Sequence, residues 1–270
     1  MDGLKDWRSL IALLVLLLIM SGCTRVAFLA ANLPTYFGTL AVVHDLAYGP
    51  EPSQKLDIDV PVDPTDKPMD VIVFFYGGRW TYGTKEDYRF VGATFAERGF
   101  LVVIPDYRKY PLVRFPRFVQ DGAKTLAWVS YHIAEFHGDP ALIHIVGHSA
   151  GAHIGALLAA YSHYLADEGM DRSHTVHDFS GLAGPYAFTP DEPDLEDMFG
   201  PPENYPNMQI TTFVDGTQPP MWLSYGDNDT AVKNVNLEKL EQRTKQRGGC
   251  VRSRIYPGVD HIDLVAALSW

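Results

Sequence analysis

Apolar and polar positions change period several times along the chain. "QKLDIDVPV" at 54–62 alternates, which predicts a strand with one face covered. "DVIVFFYGG" at 70–78 is a continuous apolar run ending in glycines, the pattern of a strand buried on both faces. "DYRFVGATFAERG" at 87–99 reads as a helix stopped by Gly99, and "FLVVIPDYR" at 100–108 as another buried strand with polar residues at its C-terminal end. "FPRFVQDGAKTLAWVSYHIAEFHG" at 115–138 is mostly helix, with Pro116 near its start. "ALIHIVG" at 141–147 is strand again, and an Ala-rich helical run follows it. Further on come a strand in "PPMWLSYGDND" at 219–229, a polar helix in "NVNLEKLEQRTKQRGG" at 234–249 and a last strand with its loop in "VRSRIYPGVDH" at 251–261. Strand and helix alternate, so the expected class is α/β, with a mostly parallel central sheet and helices on both faces.

Three regions fall outside that alternation. Residues 172–218 are rich in Asp, Pro and aromatics with weak periodicity, and read as an insertion over the site rather than a separate domain. Residues 23–47 read as an N-terminal segment or cap before a main domain over 48–270. Residues 1–22 hold Lys5, Arg8 and then "LIALLVLLLIM", an apolar run of 11 residues before "SGC". A transmembrane helix needs about 20 apolar residues, so this run has the length of a signal-peptide core. Met20-Ser21-Gly22-Cys23 resembles a bacterial lipobox, which implies cleavage before Cys23 and lipid attachment there. By the same resemblance, Thr24 in place of Asp favours the outer membrane, facing the periplasm, where the cell has one. The expected location is thus the bacterial cell envelope, with the membrane as partner through Cys23.

Composition narrows the partners. The chain has 270 residues, 46% of them hydrophobic, enough for a substantial core. A formal net charge of −11 would repel a phosphate backbone, so nucleic acid is not expected as a partner. The two cysteines, Cys23 and Cys250, make no disulfide framework and sit in no metal-like Cys/His cluster. Nothing in these patterns sets the oligomeric state.

The chemistry concentrates at Gly147-His148-Ser149-Ala150-Gly151, between the apolar strand and the Ala-rich helix. In a G-x-S-x-G turn, small neighbours allow close packing and the serine hydroxyl stands clear of the sheet. The backbone N–H of Ala150, at a helix N-terminus, then faces a bound carbonyl. A serine nucleophile needs a base, and the base needs an orienting acid. His261 is the candidate base, in the loop after the last strand. His148, His153 and His163 lie in the elbow or on the helix leading away, and His144 lies within a strand. The acid is expected after "MWLSY", where Asp227 and Asp229 both stand, and chemistry alone does not choose between carboxylates two residues apart.

The spaced motifs "VFFYGGRW", "VVIPDYRKYP", "GHSAGAH", "SYGDNDTAV" and "GVDH" carry a wider resemblance. From about Tyr48 to the end, the chain resembles the α/β-hydrolase superfamily, in particular hormone-sensitive-lipase-like and kynurenine-formamidase-like esterases. That resemblance implies an α/β-hydrolase fold and a triad of Ser149, Asp229 and His261. It selects Asp229 because Gly-x-x-Asp-x-x-Val falls on Gly226, Asp229 and Val232. It also implies an oxyanion hole from the N–H groups of Gly78, Arg79 and Ala150. One departure stands out: these families usually carry His-Gly-Gly-x-Trp, and this chain has Tyr76-Gly77-Gly78-Arg79-Trp80. Trp80 is expected to pack the loop or line the substrate site. Asp106, Tyr107 and Arg108 are expected to brace the oxyanion loop, with Asp121, rather than to bind an acidic substrate.

The implied activity is hydrolysis of a small-molecule carboxylic ester through an acyl-enzyme, with no cofactor and no metal. Amide hydrolysis, as in a formamidase or peptidase, and a non-catalytic lipid-anchored binding protein are the alternatives. Phe179, Tyr186, Phe188, Phe199, Tyr205 and Phe213, all in 172–218, are the candidate aromatic surface for an acyl or alcohol pocket.

Overall fold

The computed structural model describes residues 26–36, 40–61 and 67–269. The apolar run at 10–20 and Cys23 lie outside them. Among the described residues, eight strands form one sheet: β1 (Ala41–Ala47), β2 (Lys55–Val60), β3 (Met69–Phe75), β4 (Leu101–Pro105), β5 (Gly138–His148), β6 (Asp178–Leu182), β7 (Met221–Gly226) and β8 (Val251–Tyr256). Their order is β1-β2-β4-β3-β5-β6-β7-β8. β2 runs antiparallel to both β1 and β4, and every pairing from β4 through β8 is parallel. The order and the direction of its strands are those of an α/β-hydrolase.

The apolar runs explain the middle of the sheet. All of β4, and all of β3 but Asp70, is buried, so helices and loops must cover both faces. The main helices are α1 (Arg89–Ala96), α2 (Arg117–His132), α3 (Ala150–Ala160), α4 (Pro193–Phe199) and α5 (Val235–Gln246). Every residue of α3 is buried, which is why its sequence is apolar all round rather than amphipathic. It packs on β5 and β6, with α2 against it; α1 lies on β2 and β4, and α5 on β7 and β8. After β3 the chain moves to β4 on one side, then returns to β5 on the other. The loops at the C-terminal ends of β3 and β5 therefore diverge at a topological switch point, where such sheets open a crevice.

Two stretches differ from the sequence reading. The segment 23–47, expected as an N-terminal segment or cap, contributes edge strand β1. A bulge between Val43 and Leu46 breaks its alternation, and most of it is exposed, so the pattern is weak. The segment 172–218, expected as an insertion over the site, contains β6, an interior strand paired on both sides. β6 reads "DFSGL": Ser180 and Gly181 interrupt an apolar run that is already short.

The departure at Tyr76 has a physical role. Its hydroxyl donates to Asp106 Oδ1, and burial keeps the phenol protonated by pushing its pKa well above the ordinary value. Its ring stacks on Tyr107 at 4.9 Å and Tyr88 at 5.4 Å. Tyr107 Oη donates back to the Tyr76 carbonyl at 3.0 Å, and the Lys85 N–H reaches Asp106 Oδ1 at 3.1 Å. Next to this cluster, Arg108 grips the buried Asp121 with Nε at 2.9 Å and Nη2 at 2.7 Å. Asp106 and Tyr107 thus brace the loop that follows β3, while Arg108 and Asp121 tie instead to Glu51 and Gln54 in the turn before β2. Tyr76→Phe keeps the stacking but removes a donor from a mostly buried carboxylate. It should cost about 1–3 kcal/mol in urea denaturation; an unchanged midpoint would show that the Lys85 N–H suffices to hold Asp106.

Candidate active site

The site lies where four loops leave the C-terminal ends of parallel strands. Phe75 of β3 pairs with Gly147 of β5, so the segments 76–80 and 148–151 start side by side. Ser149 adopts φ 53° and ψ −119°, a conformation that costs a non-glycine residue of order 1–3 kcal/mol. Its neighbours explain the glycines. A Cβ at Gly151 would sit 2.0 Å from the Phe75 carbonyl oxygen, and one at Gly147 would sit 2.6 Å from Ala152 Cα. Neither site can take a side chain while α3 starts this close to β3. The Ser149 N–H donates to the Leu182 carbonyl at 2.8 Å, so β6 anchors the turn from the other side.

His261 and the aspartates come from the loops after β8 and β7. His261 Nδ1 lies 2.7 Å from Asp229 Oδ2, whose side chain is fully buried. Asp229 Oδ1 accepts the N–H groups of Ala231 at 2.9 Å and Val232 at 2.8 Å. Burial opposes ionisation of Asp229, but the bonds from His261, Val232 and Ala231 outweigh it and hold the carboxyl below its ordinary pKa. Asp227 is exposed and does other work: Oδ1 accepts the Gly258 N–H at 2.6 Å, tying the two loops together. The structure therefore brings Asp229, not Asp227, to the histidine. Ser149 and His261 line the same cleft, and Ser149 Oγ has no hydrogen-bond partner among the described residues.

The other histidines have structural partners. His144 Nδ1 is 2.8 Å from Asp178 Oδ2, and His153 Nε2 donates to the Met208 carbonyl at 2.8 Å. His148 was set aside on the sequence because it lies in the elbow, yet it is tied to the candidate base. Its Nε2–H donates to the His261 carbonyl at 3.1 Å and the two rings lie 4.9 Å apart. Burial, and next the charge of His261, hold His148 down to about 3, so it is neutral with its proton on Nε2.

The segment after β3 passes directly over Ser149: a Cβ at Gly77 would lie 3.1 Å from Ser149 Cβ. Gly78, Arg79 and Trp80 all have positive φ, at 125°, 51° and 57°. The N–H groups of Gly78 and Arg79 have no acceptor among the described residues. Ala150 opens α3, where its N–H has no acceptor within the helix. Three free donors thus stand around the serine. The Arg79 side chain turns outward, with Nη2 2.8 Å from Asp194 and 3.0 Å from Glu192.

The cleft holds about 670 Å³. Of the aromatics expected in the pocket, only Phe188 lines it. Phe179, Tyr186, Phe199 and Tyr205 are buried in the core, and Phe213 stacks on Tyr161 at 4.0 Å. Its apolar walls come instead from Pro185, Ala187, Leu195, Val232 and Val235, of which only Val232 stands in a sequence motif. Trp80 fills both expected roles: its buried ring stacks with Phe118 and Phe188, and it also borders the cleft. Among the described residues no group of His, Cys, Asp and Glu is placed to hold a metal ion.

Comparison with known proteins agrees with this geometry. A rice protein described as a probable isoprenylcysteine alpha-carbonyl methylesterase is 34% identical over 96% of this chain and 66% of its own length. Esterase LipC of Mycobacterium tuberculosis is 29% identical over 73% of this chain and 54% of its own. The chain spans between half and two thirds of these relatives. Among solved structures, an inhibited esterase B from Lactobacillus rhamnosis superposes with a TM-score of 0.78 at 20% identity, covering 96% of this chain and 91% of that one. A truncated carbohydrate esterase from gut microbiota gives 0.71 at 19% identity, covering 85% and 96%. The BD-FAE family model matches residues 56–243, a span that runs from β2 into α5 and includes both Ser149 and Asp229. On that match, and with the sheet described above, the chain belongs to the BD-FAE family of α/β-hydrolases.

Proposed function

We propose that the protein is a serine hydrolase that cleaves carboxylic esters through an acyl-enzyme. The observation that carries this reading is the buried Asp229 bonded to His261 in the cleft where Ser149 stands on its strained turn. Ser149 Oγ attacks the acyl carbonyl carbon while His261 Nε2 takes the hydroxyl proton. Asp229 holds the proton on Nδ1 and stabilises the imidazolium that forms. The N–H groups of Gly78, Arg79 and Ala150 receive the negative oxygen. His261 then protonates the departing alcohol. Water, deprotonated by His261, releases the acid from Ser149 in the second half. The ester-hydrolase relatives support an ester as the substrate.

The N-terminal sequence supports a location. The protein is tethered to the bacterial cell envelope by lipid on Cys23, with residues 1–22 removed. This follows from the apolar run before Ser21-Gly22-Cys23. Two signals are needed for a firm anchor, so more than one acyl chain is required on the cysteine.

Four sets of measurements test these readings. Fluorophosphonate labelling of the purified protein should be lost in Ser149→Ala. Asp229→Asn should lower kcat by roughly 10³- to 10⁴-fold, and Asp227→Asn by about tenfold or less, with circular dichroism unchanged. If Asp227→Asn instead falls to the Ser149→Ala level while Asp229→Asn stays active, the acid is misassigned. His148→Leu removes the donor that holds the His261 backbone. It should lower kcat by roughly ten- to a hundredfold with little change in KM, and His148→Gln, which keeps an N–H donor, should recover part of the loss. Equal kcat values for the parent and the leucine variant would remove His148 from the mechanism. For the anchor, protein from a bacterial membrane fraction should have the mass of a chain starting at lipid-modified Cys23, and Cys23→Ser should be released or misprocessed. An intact unmodified Met1 in that fraction excludes the anchor.

A further inference from the structure

The N-terminal helical stretch 26–32 and the turn Leu33–Tyr36 have two unlike faces. The inner face is fastened to the body. Phe28 packs on Tyr88 at 4.9 Å and Phe90 at 6.1 Å. The buried Asn32 donates to the carbonyls of Glu86 at 3.2 Å and Asp87 at 2.8 Å, and accepts the Phe90 N–H at 2.9 Å. The outer face is apolar and open: Val26 is 65% exposed, Leu29 62%, Leu33 54% and Tyr36 56%. No side chain from Val26 to Val43 carries a formal charge, in a chain whose net charge is −11. An apolar surface of this kind marks a contact site.

The same segment packs on a stretch of chain that leads to the cleft. The chain it grips, 86–90, is continuous with Tyr82, which is 65% exposed and borders the cleft with Ser149 and His261. The sequence just before it names the occupant. Cys23 precedes Val26 by three residues, a span of at most about 10 Å of extended chain. The apolar run Leu10–Met20 ends three residues before Cys23.

We infer that the exposed face of residues 26–36 rests on the lipid bilayer and sets the mouth of the cleft at the lipid surface, so that the substrate is an ester held in the membrane. This rests on the reading of Cys23 as a membrane anchor. With Cys23 in the lipid, Val26 cannot stand far from the interface, and Leu29, Leu33 and Tyr36 follow it along one open face. Interfacial helices bury their apolar side to a depth of about 5–10 Å. The acidic chain gains nothing from anionic lipid, so the contact is apolar and forms on neutral phosphatidylcholine. Tyr82, an aromatic ring with a polar tip, suits a position at the headgroup level. An ester with a long apolar part then passes from the bilayer to Ser149 without crossing open water.

The test uses the full chain carrying Cys250→Ser, isolated from membranes and reconstituted into phosphatidylcholine vesicles. A polarity-sensitive fluorophore is attached through Leu29→Cys, Leu33→Cys or, as control, Glu135→Cys. Glu135 is exposed and precedes β5, at the N-terminal end of the strand whose C-terminal end leads to Ser149. A spin label on the lipid near the headgroup should quench the probes at 29 and 33 at least roughly threefold more than the probe at 135. In a second arm, the double variant Leu29→Glu, Leu33→Glu should hydrolyse dissolved p-nitrophenyl acetate at the parent rate. Its rate on p-nitrophenyl palmitate dissolved in the bilayer should fall about tenfold. Equal quenching at all three positions in protein that floats with the vesicles would overturn the docking while sparing the anchor. Disulfide-linked dimers through Leu29→Cys without quenching would assign the face to a second copy and overturn it too. Protein that does not float would overturn the anchor and this inference together. A chain inactive on both esters yet quenched at 29 and 33 would refute the esterase reading and leave the docking standing.

Discussion

The site depends on one close approach. Helix α3 starts in contact with the carbonyls that end β3: at Gly151 the space for a side chain is already filled by Phe75 and Tyr76 oxygens. That contact forces the chain to turn within two residues of β5, and Ser149 takes the unfavourable backbone angles that result. The strain is held on both sides, by the β3–β5 pairing and by the Ser149 N–H on the Leu182 carbonyl. The cost is local, while the restraint comes from three neighbouring strands. The same approach leaves the first N–H of α3 unshared and sets it beside the loop whose own N–H groups are free.

Around that turn the protein uses few ionised groups. Tyr76, Tyr88 and Tyr107 form a stack under the loop after β3, and burial keeps all three phenols protonated. His148 is neutral for the same reason, and sits against the ring of His261 without adding a second positive charge beside it. Asp229, beside His261, keeps its charge through three donors rather than through water. His261 thus has one fixed anion on one side and a neutral ring on the other.

The parts of this arrangement that are local in the chain were legible from it. The elbow is five consecutive residues, and the strands β3 and β4 are almost wholly apolar because both of their faces are covered. Asp227 and Asp229 are not separable by chemistry alone, since both follow the same strand; the family resemblance selects Asp229, and the fold turns that one inward and leaves the other on the surface. β6 was missed because five residues with Ser180 and Gly181 at their centre carry little pattern, although pairing on both sides makes it a full member of the sheet. The aromatics of 172–218 misled in the opposite sense. Their size suited a pocket, but Phe179, Tyr186 and Phe199 gain more from complete burial, and the cleft is lined by smaller residues that face it only through tertiary packing. His148 gave no signal because its partner is a backbone carbonyl 113 residues away.

Arg79 joins two parts that the chain keeps far apart. Its backbone belongs to the loop over Ser149, and its guanidinium holds Glu192 and Asp194 at the start of α4, on the wall of the cleft. All three side chains are partly open to water, at 35%, 57% and 43% exposure. An ion pair in that setting is worth at most about 1 kcal/mol and weakens as salt rises, with a screening length of roughly 8 Å at physiological ionic strength. The wall of the cleft is therefore fastened by a contact that the surrounding electrolyte adjusts. Rising salt loosens that outer fastening and leaves α4 held by the buried Met198 and Phe199, while the Asp229–His261 pair, with the Asp229 side chain out of water, is screened far less.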